Sequence, residues 1–186
     1  MIDKDWTYAS YCFGHFVKPA AIVMDIQSLG RVEAILSAWE RQNTPTCHNQ
    51  QTRDYDFNTD PNSMLLMQII AVSRMWALSG YEILRTMNNQ TRQNKVATDL
   101  ENEFYYLFWR FTMVRMEAAK YEHAGVKGTI GNPTKIMQID NDGIVRVGWR
   151  VYCKKTRNVL DITRRNLADE FVTTLSYIRK NLPEME

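Results

Sequence analysis

From Pro19 onward, apolar residues recur three and four positions apart: Ile22, Ile26, Leu29, Val32, Ile35, Leu36 and Trp39 share one face of a helix. Pro19 suits the first turn, where its missing N–H has no intrahelical partner, and the spacing predicts a first helix over 19–42. The next stretch, 43–62, is polar, contains Pro45 and Pro61 and has no apolar period, so it reads as a long loop. Residues 63–87 are apolar on nearly all sides and predict a second helix near the middle of a bundle. A third, over 96–123, carries the clearest stripe: Leu100, Phe104, Leu107, Phe108, Phe111, Val114, Ala118 and Tyr121. The short polar run 88–94 makes the second and third helices an antiparallel hairpin.

Beyond the glycine-rich stretch 124–134 the apolar period drops from 3.6 to 2. Residues 135–140 and 144–155 flank Asn141-Asp142-Gly143, a hairpin signal because Asp-Gly tolerates positive φ. In the second strand Val145, Val147, Trp149 and Val151 face one way, and Arg146, Arg150 and Tyr152 face the other. A third strand is predicted at 159–162. Thr163 then serves as N-cap of a last helix, 164–182, whose stripe is Leu167, Phe171, Leu175 and Ile178. At the other end, 1–18 crowds Trp6, Tyr8, Tyr11, Phe13 and Phe16 without regular period, as an aromatic arm packed on the bundle.

The expected fold is therefore α+β and predominantly helical: a four-helix bundle with a three-stranded antiparallel β meander inserted before the last helix. It is read as a single domain, 1–186, comprising the arm (1–18), a three-helix core (19–123), a Gly-rich connector (124–134), the meander (135–162) and the C-terminal helix (163–186). The 186 residues, 45% hydrophobic and 24% charged, are ordinary for a folded domain and exclude collagen-like and disordered chains. Three distant cysteines, Cys12, Cys47 and Cys153, argue against a disulfide framework. Without Cys-x-x-Cys or His-x-x-x-His spacing, no metal and no cofactor is expected. Residues 64–84 are interrupted by Gln68, Ser73, Arg74, Ser79, Gly80 and Glu82, so they read as a core helix and no membrane partner is expected. The N-terminus lacks an apolar signal region, and the expected location is the cytoplasm.

Charges on the apolar helices supply the first candidate site. Arg74 and Arg85 fall within about 20° of each other on a helical wheel, with Glu82 nearby. On the third helix Glu103, Arg110 and Glu117 recur every seven residues along one flank, and Arg115 and Glu122 along the other; Lys120 lies within the same turns. The residues Arg74, Glu82, Arg85, Arg110, Arg115, Glu117, Lys120 and Glu122 are read as a polar pocket for an anionic group, or as ion pairs at the bundle's rim.

A second candidate comes from charge distribution. Residues 123–165 hold nine basic against three acidic groups, while 1–122 hold twelve against fourteen. Arg146, Arg150, Lys154, Lys155, Arg157, Arg164 and Arg165, with Tyr152, would form a patch able to contact phosphates of a nucleic acid.

A third reading rests on RQNTPTCH, Arg41 to His48. It resembles in spacing the Arg-x(4–6)-His motif of the HEPN superfamily, small helical bundles that include ribonuclease toxins of defence systems. The resemblance covers eight residues, with Pro45 inside them, and implies a ribonuclease use of Arg41 and His48. Cys47 and His48 also adjoin as a candidate reactive pair. The glycine-rich GVKGTIGNP, with Lys127, lacks the order of a phosphate loop and precedes a strand, so it reads as a connector. Taken together, the expectation is a non-enzymatic binding or interaction protein for an unidentified protein partner or small anion. A nucleic-acid-binding protein and a small ribonuclease-like protein are the alternatives, and its apolar surface suggests a homodimer.

Overall fold

The computed structural model describes residues 4–12, 19–49, 61–94, 98–119, 134–153 and 158–181. These form, in order, α1 (Lys4–Ser10), α2 (Pro19–Asn49), α3 (Pro61–Asn94), α4 (Thr98–Ala119), β1 (Thr134–Ile139), β2 (Val145–Cys153), β3 (Asn158–Thr163) and α5 (Arg164–Asn181). The fold is α+β and mostly helical, with the antiparallel sheet β1-β2-β3 placed before the last helix, as the change of period implied.

Three boundaries differ from the sequence reading. Part of the aromatic arm is the helix α1: Trp6, Ala9 and Ser10 are buried at helical spacing, a stripe too short to stand out in sequence. The helix α2 continues to Asn49, so the expected loop starts later than 43. Pro45 removes only one backbone hydrogen bond, and the buried Glu40 and Asn43 hold this end of the helix against the rest of the fold. Likewise α3 runs on through 88–94, which contains no glycine or proline to stop it, with Met87 and Asn88 still buried. Residues 120–133 lie outside the described residues, and with them the end expected for the third helix and the Gly-rich connector.

The indole N–H of Trp76 in α3 donates to the carbonyl of Leu29 in α2 at 3.1 Å, which fixes the level at which the two helices meet. Parallel helices meeting there would leave their connected ends about 50 Å apart, beyond the roughly 43 Å that the intervening chain can reach, so α2 and α3 are antiparallel. By length and composition, Met64–Asn89 could cross a bilayer; in the fold it packs between α2 and α4.

Aromatic rings tie the helices together. Trp6 stacks on Phe171 with centroids 5.4 Å apart, Phe171 meets Phe111 edge-on at 5.8 Å, and Phe111 lies 5.8 Å from Trp76. This series joins α1, α5, α4 and α3 through geometries that aromatic pairs favour. Gly30 lets Trp6 approach α2: a Cβ there would stand 2.6 Å from Trp6 Cγ.

In the sheet, Trp149 lies opposite Lys135 on one side and Ile162 on the other. Val145, Val147, Trp149 and Val151 are buried, as their alternation requires. At the β1–β2 turn, Asp140 Oδ1 accepts the N–H groups of Asp142 and Ile144, both at 2.9 Å, and Gly143 takes φ +74°, the left-handed conformation that favours glycine. Thr163 caps α5, its Oγ1 accepting the Asn166 N–H at 3.0 Å. The α5 stripe of Leu167, Phe171, Leu175 and Ile178 is buried.

An ionic network holds α2 to the sheet and to α5. Glu33 and Glu40, two turns apart on one face of α2, are almost wholly buried. Arg164, the first residue of α5 and fully buried, donates through Nη1 to Glu33 Oε2 and through Nη2 to Glu40 Oε2 at 2.6 Å. Glu40 also accepts Arg146 Nη1 at 3.0 Å and the Val147 N–H at 3.1 Å, while Ser37 Oγ donates to Glu33. Arg146 Nε reaches Asp140 Oδ2 at 2.7 Å, so the residue that builds the turn also extends the network. With Arg165 3.8 Å from Glu33, three carboxylates face three guanidinium groups.

Burial sets the titration of these groups. It pushes the Glu40 carboxyl above its usual range, against the opposing pull of Arg146 and the Val147 N–H. Burial, then the neighbouring Arg165, pull Arg164 down to about 9, which still leaves it charged at neutral pH beside its two carboxylates. For Asp140, desolvation is outweighed by the Ile144 N–H and Arg146, and its carboxyl lies below the usual range.

Candidate functional site

Between α2 and α3 the inner surfaces do not close. Ala21 and Ser28 on α2 and Ser79 on α3 are too small to fill the space between the helix axes. The result is a groove of about 720 Å³ open along one side. Its walls are Ile22, Leu29 and Val32 from α2, and Val72, Trp76 and Ile83 from α3. Met75 stands at the rim, 67% exposed, and Met24 on α2 is exposed nearby in sequence to the lining residues. Thioether side chains adapt to the shape of what they touch.

Two ionisable residues line the groove, Asp25 on α2 and Glu82 on α3. Counting from the Trp76–Leu29 contact along antiparallel axes, both lie toward the end marked by Ala21 and Thr86, at levels about 3 Å apart. Glu82 Oε2 pairs with Arg85 at 2.7 Å; both side chains are about half exposed. Asp25 has no ion pair or hydrogen bond among the described residues. The groove is thus mostly apolar, with its two acids about 6 Å inside the Ala21–Thr86 end.

The arginine cluster expected on the second and third helices is not gathered at one point. Arg85 is engaged by Glu82. Arg110 reaches across to Glu170 of α5 at 2.8 Å. Arg115 lies over the Tyr81 ring, 4.4 Å from its centroid, and donates to the Tyr81 hydroxyl at 3.2 Å. Arg74 is half-buried on α3 and has interactions of its own. The Glu117 side chain, Lys120 and Glu122 lie outside the described residues.

The basic meander is arranged differently from an open cationic face. Arg146, expected to point outward, is buried because Glu40 and Asp140 converge on it. Arg164 is buried by the same network, and Arg165 pairs with Asp169 at 2.9 Å. Arg150 stays exposed and grips Asp161 with two hydrogen bonds, at 2.7 and 2.8 Å, while Gln138 donates to the same carboxylate. The Arg150 hydrogen bond holds Asp161 below the usual carboxylate range. The Tyr152 side chain and Lys154, Lys155 and Arg157 lie outside the described residues.

Arg41 is exposed on α2, and His48 follows two turns later on the same helix; the side chains of Cys47 and His48 lie outside the described residues. No cluster of three or more His, Cys, Asp or Glu side chains placed to hold a metal occurs among the described residues.

Of the groove's two charged residues, Glu82 was legible as a candidate from sequence, though as part of a polar pocket for an anionic group. Asp25 was not. Ala21 and Ser28, seven apart, are a recoverable sign of a thin helix face, but which helix faces them depends on packing register.

Comparison with protein-family models, with curated proteins and with solved structures finds no match for this chain.

Proposed function

We propose that this is a non-enzymatic binding protein and that the groove between α2 and α3 is its ligand site. The observation that carries the reading is the apolar groove of about 720 Å³, within the range of 300–1,000 Å³ usual for small-molecule sites. Its walls expose aliphatic and thioether surface that water solvates poorly, so an apolar ligand that displaces this water gains the free energy of burial. The few polar groups at the rim are of the kind that orient a ligand.

The test is titration with Nile red, a neutral dye whose emission rises in apolar surroundings. The expected result is saturable one-to-one binding. Ser79→Phe, which fills the groove from an exposed position, should weaken it at least tenfold with the melting temperature unchanged. Absence of saturable binding, or equal binding by the variant, would overturn the assignment.

A further inference from the structure

The shape and charge of the groove restrict its ligand. Resting on the reading of the groove as a ligand site, we infer that it takes an elongated apolar molecule ending in a single cationic group of the ammonium type, which Asp25 and Glu82 receive.

The groove sets the shape of its occupant. The lining residues extend from Ala21 to Val32 on α2 and from Val72 to Thr86 on α3, about 16 and 21 Å at the rise of a helix. An occupant that covers this lining is elongated.

Charge selects the end group. Both ionisable lining residues are acids, although the protein as a whole carries +2. Both stand about 6 Å inside the Ala21–Thr86 end, so the negative charge lies toward that end of the groove's axis. Glu82 shares its charge with Arg85, whereas Asp25 has no partner among the described residues and is the principal counter-charge. An anionic end group here would meet the Asp25 carboxylate and the Arg85-paired Glu82, and a neutral one would gain no charge pairing with Asp25. A ligand lying the other way round would place its charge among Val32, Val72 and Trp76, where desolvation disfavours it.

The experiment compares alkyltrimethylammonium ions, octyl to tetradecyl, with alkyl sulfates of the same lengths, each below its micelle concentration, by titration calorimetry at low salt. The expected result is one-to-one binding of the ammonium series. Affinity should rise about fourfold per methylene until the chain outgrows the groove, and each ammonium should bind at least tenfold more tightly than the sulfate of equal length. Asp25→Asn combined with Glu82→Gln should erase that preference with the melting temperature unchanged, since both positions are exposed. Equal affinity for the two series, or preference for sulfate, with dye binding intact would overturn the inference and leave the groove assignment standing. Failure of dye and chains alike would overturn both.

Discussion

Arg164 Nη2 donates to Glu40 Oε2 at 2.6 Å across 124 positions of sequence, with both side chains almost wholly buried. The bond joins the first residue of α5 to the last third of α2, and the same carboxylate oxygen accepts Arg146 from β2. Removing one partner strands the others in a medium of low polarity. Arg164→Met is therefore expected to cost about 3–5 kcal/mol. Adding Glu33→Gln and Glu40→Gln, which removes the stranded charges while keeping acceptors for Ser37 and the Val147 N–H, should recover most of it. Urea unfolding at constant m-value checks both; a loss below about 1 kcal/mol for Arg164→Met would show that the network adds nothing.

The same groups set a pH profile. Glu40 and Glu170, raised by burial, hold their protons to higher pH in the folded state than the 4.5 of the unfolded chain. Between 4.5 and those raised values the folded state binds more protons, so stability falls as pH rises through that window. Asp140 and Asp161 are lowered, and their contribution is present above 3.8 and lost as pH falls through their folded values. Stability should peak on the acid side of neutrality and decline below about pH 4. A steady fall from pH 7 downward in thermal unfolding would contradict this, and Glu40→Gln should flatten the upper limb.

Two glycines separate a steric constraint from a conformational one. A Cβ on Gly148 would stand 2.7 Å from the Ile162 carbonyl oxygen and 2.9 Å from Thr163 Cα, backbone atoms of β3 just before the α5 cap. Gly148→Ala is expected to cost about 3 kcal/mol, the upper part of the overpacking range. Gly143 has open space around it but φ +74°, so Gly143→Ala should cost about 1–2 kcal/mol. Equal costs in chemical denaturation would mean that β3 yields easily.

Trp6 is 5% exposed, stacks on Phe171 and touches α2 where Gly30 leaves room. Trp6→Ala should lower stability by about 3–5 kcal/mol, the usual loss for a buried large aromatic. A loss under 1 kcal/mol would make α1 a dispensable appendage.

Arg146, Arg150, Arg164 and Arg165 each hold a carboxylate. Fluorescence anisotropy with mixed DNA and RNA oligonucleotides at 50 mM salt is accordingly expected to give no saturable binding. Binding that fell a hundredfold by 200 mM would instead indicate several phosphate contacts from this region.

Much of the architecture was legible in the chain because it depends on neighbours in sequence. The stripe Leu167, Phe171, Leu175 and Ile178 needs only a helical period, the Asp140–Gly143 turn needs one residue tolerant of positive φ, and Thr163 caps a helix through Asn166 three residues on. Local signals were weaker at helix ends. Pro45 marked a loop by its chemistry, yet α2 continues past it because Glu40 and Asn43 are buried against distant parts of the fold.

The candidate sites show the same division. Strand alternation placed Arg146 opposite Val145 and Val147, which is correct as local geometry; that it is buried was decided by Glu40, 106 positions away. Charge counts along the chain registered a basic meander but not the carboxylates that α2 brings to it. The groove likewise depends on Ala21 and Ser28 of α2 and Ser79 of α3 lining one space, and periodicity determines each helix face without determining which faces meet. Sequence by itself determined the elements and their order, since backbone propensity and apolar period act over a few residues. Only the tertiary structure decided which charges lie buried together and where a cavity remains, because both follow from how separately formed elements pack.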